Sequence, residues 1–330
     1  MHLTKKFERR RYIVTMTGYF THPDCWKHEM GPGHPECPER LDAIEDRLLI
    51  SGLDVALDRR QAPIASLADI ELAHGRMYVA GLRGLSDGLR EEIEAGGPSH
   101  AQIDPDTSIN VSTWDAALRS AGAALAATDA VLAGEMETAF CSVRPPGHHA
   151  CRDKAMGFCF FNNVAIAAKY ALERHGLKRV AIVDFDVHHG NGTEDIVAGD
   201  QRILMVSFFQ HPFYPTDWAH SGASNLLNLP VPAYTKGMDV RELIEAAWIP
   251  RLEEFAPEMI FISAGFDAHR EDDMGQMGLV EQDYTWITHR LKDVARRHAK
   301  GRIVSCLEGG YAMSALGRSV EAHIRVLADV

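Results

Sequence analysis

Six short runs of β-branched and aromatic residues, each almost continuously apolar, constrain the fold of this 330-residue chain more than any other feature. They are Arg11–Thr17, Thr138–Val143, Arg179–Asp184, Ile203–Phe208, Met259–Ser263 and Arg302–Leu307. A strand with one wet face alternates apolar and polar residues, whereas a strand covered by helices on both faces does not. Helical stretches lie between the runs. Pro38–Leu49 carries Pro near its first turn, Thr113–Ala133 is Ala-rich, and Asn162–His175 stops at Gly176. Asp239 caps a further helix that Pro250 should interrupt, and Asp283–Lys300 stops at Gly301. This alternation predicts an open, mostly parallel α/β sheet between helices. No Pro/Ser/Gly-rich linker and no internal repeat divides the chain, so residues 1–330 read as a single domain.

Charge and composition remove several function classes. Lys plus Arg number 34 against 46 Asp plus Glu, a net charge of −12, which repels a phosphate backbone and speaks against nucleic-acid binding. The same charge suits a cationic substrate. No apolar run reaches the roughly 18 residues of a membrane span, so no membrane partner is expected. The basic N-terminus leads into a strand-like run without a small-residue cleavage site, which reads as no signal peptide. Six cysteines without a CxxC pair suggest reduced thiols and a cytoplasmic protein.

Four polar clusters each follow the carboxyl end of one of these runs, where open parallel sheets place their active sites. They are Arg144-Pro-Pro-Gly-His148-His149, Asp184-Phe-Asp186-Val-His188-His189-Gly-Asn191-Gly, Ala264-Gly-Phe-Asp267 and Glu308-Gly-Gly-Tyr311. Asp184, Asp186 and His188 are two apart, so an extended backbone turns them to one side. Two could bind one ion while the third backs them. Asp186 and His188 with Asp267 make a one-His, two-carboxylate set that leaves a position open, the pattern of a catalytic zinc; Fe²⁺, Mn²⁺ or Co²⁺ also suits such oxygen-rich ligation. Read alone, the D-x-H is a capped turn. His148 and His149, set on a Pro-Pro-Gly turn, could exchange protons with water and a leaving amine, or form an exposed loop pair. Tyr311 behind two glycines could donate to a developing oxyanion, or pack as a loop aromatic. A G-x-S-x-G elbow, a phosphate-binding loop and a dinucleotide fingerprint are all missing from the sequence. Cys151 and Cys159 read as packed thiols.

Together RPPGHHA, GFCFFNNVA, VDFDVHHGNGT, SAGFDAH and EGGYA, preceded by GPGHPECPERLDAI, resemble the zinc-dependent histone deacetylase superfamily over roughly residues 18–320. The R-P-P-G-H-H and H-H-G-N-G forms are similar to the class II and bacterial deacetylase-like branch. The resemblance implies the arginase/deacetylase fold, a three-layer arrangement with about eight strands between helices. It implies Asp186, His188 and Asp267 as Zn²⁺ ligands, with Fe²⁺ or Co²⁺ as substitutes. His149 would be the general base and acid, and His148, backed by Asp184, an electrostatic stabiliser. Tyr311 would join zinc in polarising the acyl carbonyl. Asn191 stands where the class I branch has an Asp behind the second His, which should leave His149 less easily protonated. Phe158 and Tyr214 match the channel walls, and Gly157 would offer its carbonyl to the substrate amide. A K⁺ site would use backbone at Asp184, Asp186 and His188 with Ser207 and Phe208.

The resemblance also frames the substrate. In one polyamine-selective branch a Glu stands seven residues after the third metal ligand; here that position is Met274, as in enzymes acting on acyl-lysine proteins or peptides. Glu271, Asp272 and Asp273 on the same loop could attract a polyamine, or form a solvated face. The expected activity is removal of acetyl or another short acyl group from the ε-amine of lysine in a bacterial cytoplasmic enzyme. The alternatives are an acetylpolyamine amidohydrolase, a dimanganese ureohydrolase-like enzyme and an inactive binding module. A homo-oligomer is compatible with each.

Overall fold

The structure is a computed structural model that describes residues 16–216 and 221–330. Eight strands form one sheet: β1 Thr17–Thr21, β2 Leu57–Gln61, β5 Thr138–Cys141, β6 Val180–Asp184, β7 Ile203–Gln210, β8 Leu226–Val231, β9 Ile260–Ala264 and β10 Ile303–Leu307. Between β2 and β5 in sequence, β3 His100–Asp104 and β4 Thr107–Asn110 make a separate antiparallel hairpin. The sheet runs β2-β1-β5-β10-β9-β6-β7-β8, with every neighbouring pair parallel. Residues of β5, β6, β7, β9 and β10 are buried throughout, as their unbroken apolar runs require. Helices flank the sheet. Glu39–Ser51 and Glu281–His298 pack on Met313–Leu327, while Thr113–Leu132 packs on Asn163–Glu173.

Five of the six apolar runs lie on strands. The sixth, Arg11–Thr17, lies almost wholly outside the described residues, and the strand found there begins only at its last residue, Thr17. The two edge strands escape the sequence reading for a physical reason: an edge strand has one hydrogen-bonding neighbour and need not be apolar. β2 carries Asp58, Arg59 and Arg60, whose side chains form ion pairs, and β8 contains Asn228 and Pro230. Helices Arg76–Glu94 and Met313–Leu327 likewise lie outside the helical stretches read from the sequence. Asp239 is not the N-cap expected of it. It occupies the third position of helix Gly237–Leu243, accepting from the backbone N–H of Lys236, the N-cap. Pro250 acts as expected: a π-helical turn, Ile244–Trp248, separates that helix from Ile249–Phe255, and Pro250 falls in the first turn after it.

Strand order explains why the clusters meet. The four strands that precede them, β5, β10, β9 and β6, are consecutive in the sheet, so their carboxyl ends open onto one crevice.

Candidate active site

Past the end of β6 the chain leaves extended geometry and bends. Two side chains hold the bend: Asp184 Oδ1 accepts from the N–H of Asp186 at 3.1 Å, and Asp186 Oδ1 from the N–H of His188 at 2.9 Å. Asp186 and His188 do share a side, but these local bonds put them there rather than the alternation of a strand. Asp267, past β9, accepts from the N–H of Val187 at 2.9 Å, locking the two loops together. One donor atom from each of Asp186, His188 and Asp267 then lies within 4.8 Å of the other two, in a buried cluster. Gly309 permits this approach. Its N–H donates to Asp186 Oδ2 at 2.8 Å, and a Cβ there would sit 1.9 Å from Asp267 Oδ2.

The triad has the electrostatics of a cation site. His188 Nδ1 lies 3.0 Å from Asp186 Oδ1 and 3.2 Å from Asp267 Oδ2, while Asp267 Oδ2 is buried without a hydrogen bond. Burial, with Asp186 alongside, pushes Asp267 up to about 7. Against desolvation, the two carboxylates push His188 up to about 10, so the point where the donors converge favours positive charge. Two carboxylate oxygens and one imidazole nitrogen around such a point fit a divalent metal ion that leaves a coordination position open.

The two histidines past β5 are driven in opposite directions. His148 Nδ1 lies 3.0 Å from Asp184 Oδ2, and against desolvation Asp186 and Asp184 hold it well above the usual histidine range. His149 Nδ1 lies 2.7 Å from Asn191 Oδ1; burial, then the charges of His148 and His188, hold it well below that range. The two imidazoles, shifted in opposite directions, stand side by side with ring centroids 4.0 Å apart. Titratable neighbours whose environments push their pKa values apart are the pattern of an acid–base site.

A pocket of about 260 Å³ opens above these groups, lined by Asp106, His149, Gly157, Phe158, His188, Phe213, Tyr214, Asp273, Met274 and Tyr311. Every channel residue expected from the sequence is in it. Tyr214 meets His149 edge-on at 5.1 Å. Phe213, which the sequence reading passed over for its neighbour, stacks on His188 at 5.4 Å. Gly157 has φ +55, and a Cβ on it would lie 2.4 Å from the His149 ring, so glycine is required. Tyr311 packs edge-on against Phe158 at 6.0 Å, and burial holds its phenol well above the usual range, keeping it a hydrogen-bond donor. Elsewhere, Asp184 pairs in register with Ser207, whose hydroxyl donates to Asn228 at 2.8 Å, and Phe208 stacks on Trp248. Cys151 and Cys159 are buried thiols, as expected.

Glu308 and Glu36, which the sequence shows only as letters within motifs, support this floor. Glu308 Oε2 accepts from the N–H groups of Gly147 and His148 at 2.7 and 3.1 Å, and Ser263 donates to its other oxygen at 3.0 Å. Glu36 lies between the guanidinium groups of Arg40 and Arg144. Arg40 in turn donates to the carbonyls of Gly310 and Glu308 and covers the Tyr311 ring, 4.9 Å from its centroid. The loop reading is corrected at Asp272. It is 5 % exposed and accepts three backbone N–H bonds, so it is not part of a solvated face, whereas Glu271 is exposed and paired with Arg318.

Known proteins resemble the chain in sequence and in fold. The histone deacetylase domain family matches residues 34–327. The histone deacetylase-like amidohydrolase of Pseudomonas aeruginosa is 38% identical over 326 residues, covering 91% of this chain and 83% of the relative. Histone deacetylase 14, chloroplastic, of Arabidopsis thaliana is 36% identical over 315 residues, covering 89% and 73%. The crystal structure of the HDA15 HD domain superposes with a TM-score of 0.86 at 30% identity, covering 96% of this chain and 89% of that one. Fold, crevice and relatives agree: the chain belongs to the histone deacetylase family and is a hydrolase of the deacetylase and amidohydrolase type.

Proposed function

We propose that residues 1–330 form one catalytic domain that removes acetyl or another short acyl group from the ε-amine of lysine in proteins or peptides, with zinc held by Asp186, His188 and Asp267. The carrying observation is the pocket, where His149 and Tyr311 line the same cavity as His188 of the three-donor cluster, beneath the apolar walls of Phe158, Phe213, Tyr214 and Met274. A bound zinc ion would polarise the acyl carbonyl and lower the pKa of a water. Asn191 Oδ1 accepts from His149 Nδ1–H, which leaves His149 Nε2 to take a proton from the attacking water and return it to the leaving amine. Cationic His148 stabilises negative charge from behind, and Tyr311 donates its O–H to the acyl oxygen as charge grows there. Phe158, Phe213, Tyr214 and Met274 exclude water around an aliphatic stem, and the Gly157 carbonyl accepts the substrate amide N–H. Backbone at Asp184, Asp186, His188, Ser207 and Phe208 would hold potassium. A cytoplasmic setting agrees with six free cysteines.

Replacing the neutral group behind His149 tests the proton-transfer role. Asn191→Asp places a carboxylate against Nδ1, favours the imidazolium and raises the His149 pKa. Because the base must be neutral to accept a proton, the acid limb of the kcat/KM profile should move to higher pH by about 1–3 units. An unchanged profile refutes the assignment.

Asp106 and Asp273 in the pocket lining support a second reading, in which the substrate is an acetylated polyamine with a further ammonium. A side-by-side comparison of an acetyl-lysine peptide with acetylspermidine and acetylputrescine decides. Lysine peptides should have the higher kcat/KM, and a preference of about tenfold or more for the polyamines overturns the reading. Metal analysis of the same preparation should find one divalent ion per chain; two would point to a dimanganese ureohydrolase-like centre.

A further inference from the structure

Tyr311 follows two glycines, one of which, Gly310, has φ +123. Such a backbone has little preference of its own, so the phenol's place must be fixed by neighbours. Arg40 holds one side through the Gly310 carbonyl, at 2.7 Å. On the other side Asp272 Oδ2 accepts from the N–H of Tyr311 at 2.6 Å and of Ala312 at 2.9 Å. Ala312 is the N-cap of helix Met313–Leu327 and has no side chain to cap with, so Asp272 supplies the missing carboxylate from a loop 40 residues away. Its other oxygen, Oδ1, accepts from the N–H of Met274 at 3.0 Å, and Met274 lines the pocket. One buried carboxylate thus ties a pocket wall to the Tyr311 loop.

We propose that Asp272 is the positioning residue for Tyr311, setting the phenol's distance from the acyl oxygen and coupling it to Met274 and thus to the substrate stem. The proposal rests on the oxyanion-donor reading of Tyr311 given above. Asn is the informative replacement. An amide has one oxygen, so turning it towards Tyr311 and Ala312 sets its NH₂ against the Met274 N–H, and turning it round faces NH₂ towards two donors. Either way the loop shifts, and displacement of a catalytic group by about 1 Å is enough to cost up to 10²-fold.

The test is a double-mutant cycle read by kcat and KM on an acetyl-lysine peptide, with metal content and the unfolding midpoint measured for each variant. Asp272→Asn alone should lower kcat by roughly 10–100-fold, with KM changed little and the metal retained. In a Tyr311→Phe background the same change should cost less than about twofold, because there is no hydroxyl left to misplace. Equal losses in both backgrounds, or no loss in the parent, overturn the proposal. Asp272→Ser provides a second replacement, smaller and without the opposed NH₂. If neither variant folds, Asp272 serves loop stability alone and the proposal fails. Tyr311→Phe without loss instead overturns the functional reading, and the proposal with it.

Discussion

Tyr311→Phe should lower kcat by about 10²–10³-fold while leaving KM, metal content and the unfolding midpoint close to those of the parent. The substitution removes one oxygen and nothing else. The ring keeps its edge contact with Phe158, and Arg40 still covers it. Its backbone N–H keeps the bond to Asp272. Tyr311 lines the pocket, and its loop is held by backbone bonds rather than by the hydroxyl. What is lost is a donor whose bond strengthens only as the acyl oxygen gains charge, so the loss falls on turnover rather than on binding. Steady-state kinetics on an acetyl-lysine peptide measure it. Turnover within about threefold of the parent would mean that the phenol is not the oxyanion donor, and would return Tyr311 to the packed aromatic that its sequence context alone suggests.

The parts of this site legible in the sequence are those in which chemistry and fold share a local signature. Asp186, His188 and Asp267 follow buried strands so apolar that a polar residue just past their ends stands out, and the same holds for His148 and His149. Partners across the fold leave no such signature. Asp272 lies within three consecutive acids and reads as surface, yet the N–H groups that bury it come from Tyr311 and Ala312 in another loop. Phe213 was eclipsed by Tyr214 because one residue of offset in a loop has no periodicity to settle it, whereas stacking on His188 does. Edge strands β2 and β8 were hidden by their polar residues. Sheet order was not legible from the runs themselves. The adjacency of β5, β10, β9 and β6 follows from chain crossovers, and it is what turns four separate motifs into one crevice.

Glu36→Gln should cost roughly 3–5 kcal/mol of folding stability, the largest effect expected from any residue that does not line the pocket. Glu36, Arg40 and Arg144 are all fully buried. Glu36 Oε2 takes a 2.7 Å bond from Arg144, and Oε1 a 3.0 Å bond from Arg40. Glutamine keeps the shape but removes the only carboxylate paired with two buried guanidinium groups among the described residues, leaving two charges with neutral partners. The sign with pH follows from the same contacts. Against desolvation, Arg144, His28 and Arg40 hold the Glu36 carboxyl far below the usual range. A depressed native value stabilises the fold fully above the unfolded-state value of about 4.3, and that contribution is lost as pH falls towards the native value. Denaturant unfolding of parent and variant should therefore show the full gap at neutral pH and a shrinking one below about pH 4. Because Arg40 also grips the Gly310 carbonyl and covers Tyr311, the variant should lose turnover at temperatures where it is still folded. A gap that stays constant down to about pH 2 would mean that Glu36 acts by packing rather than by charge.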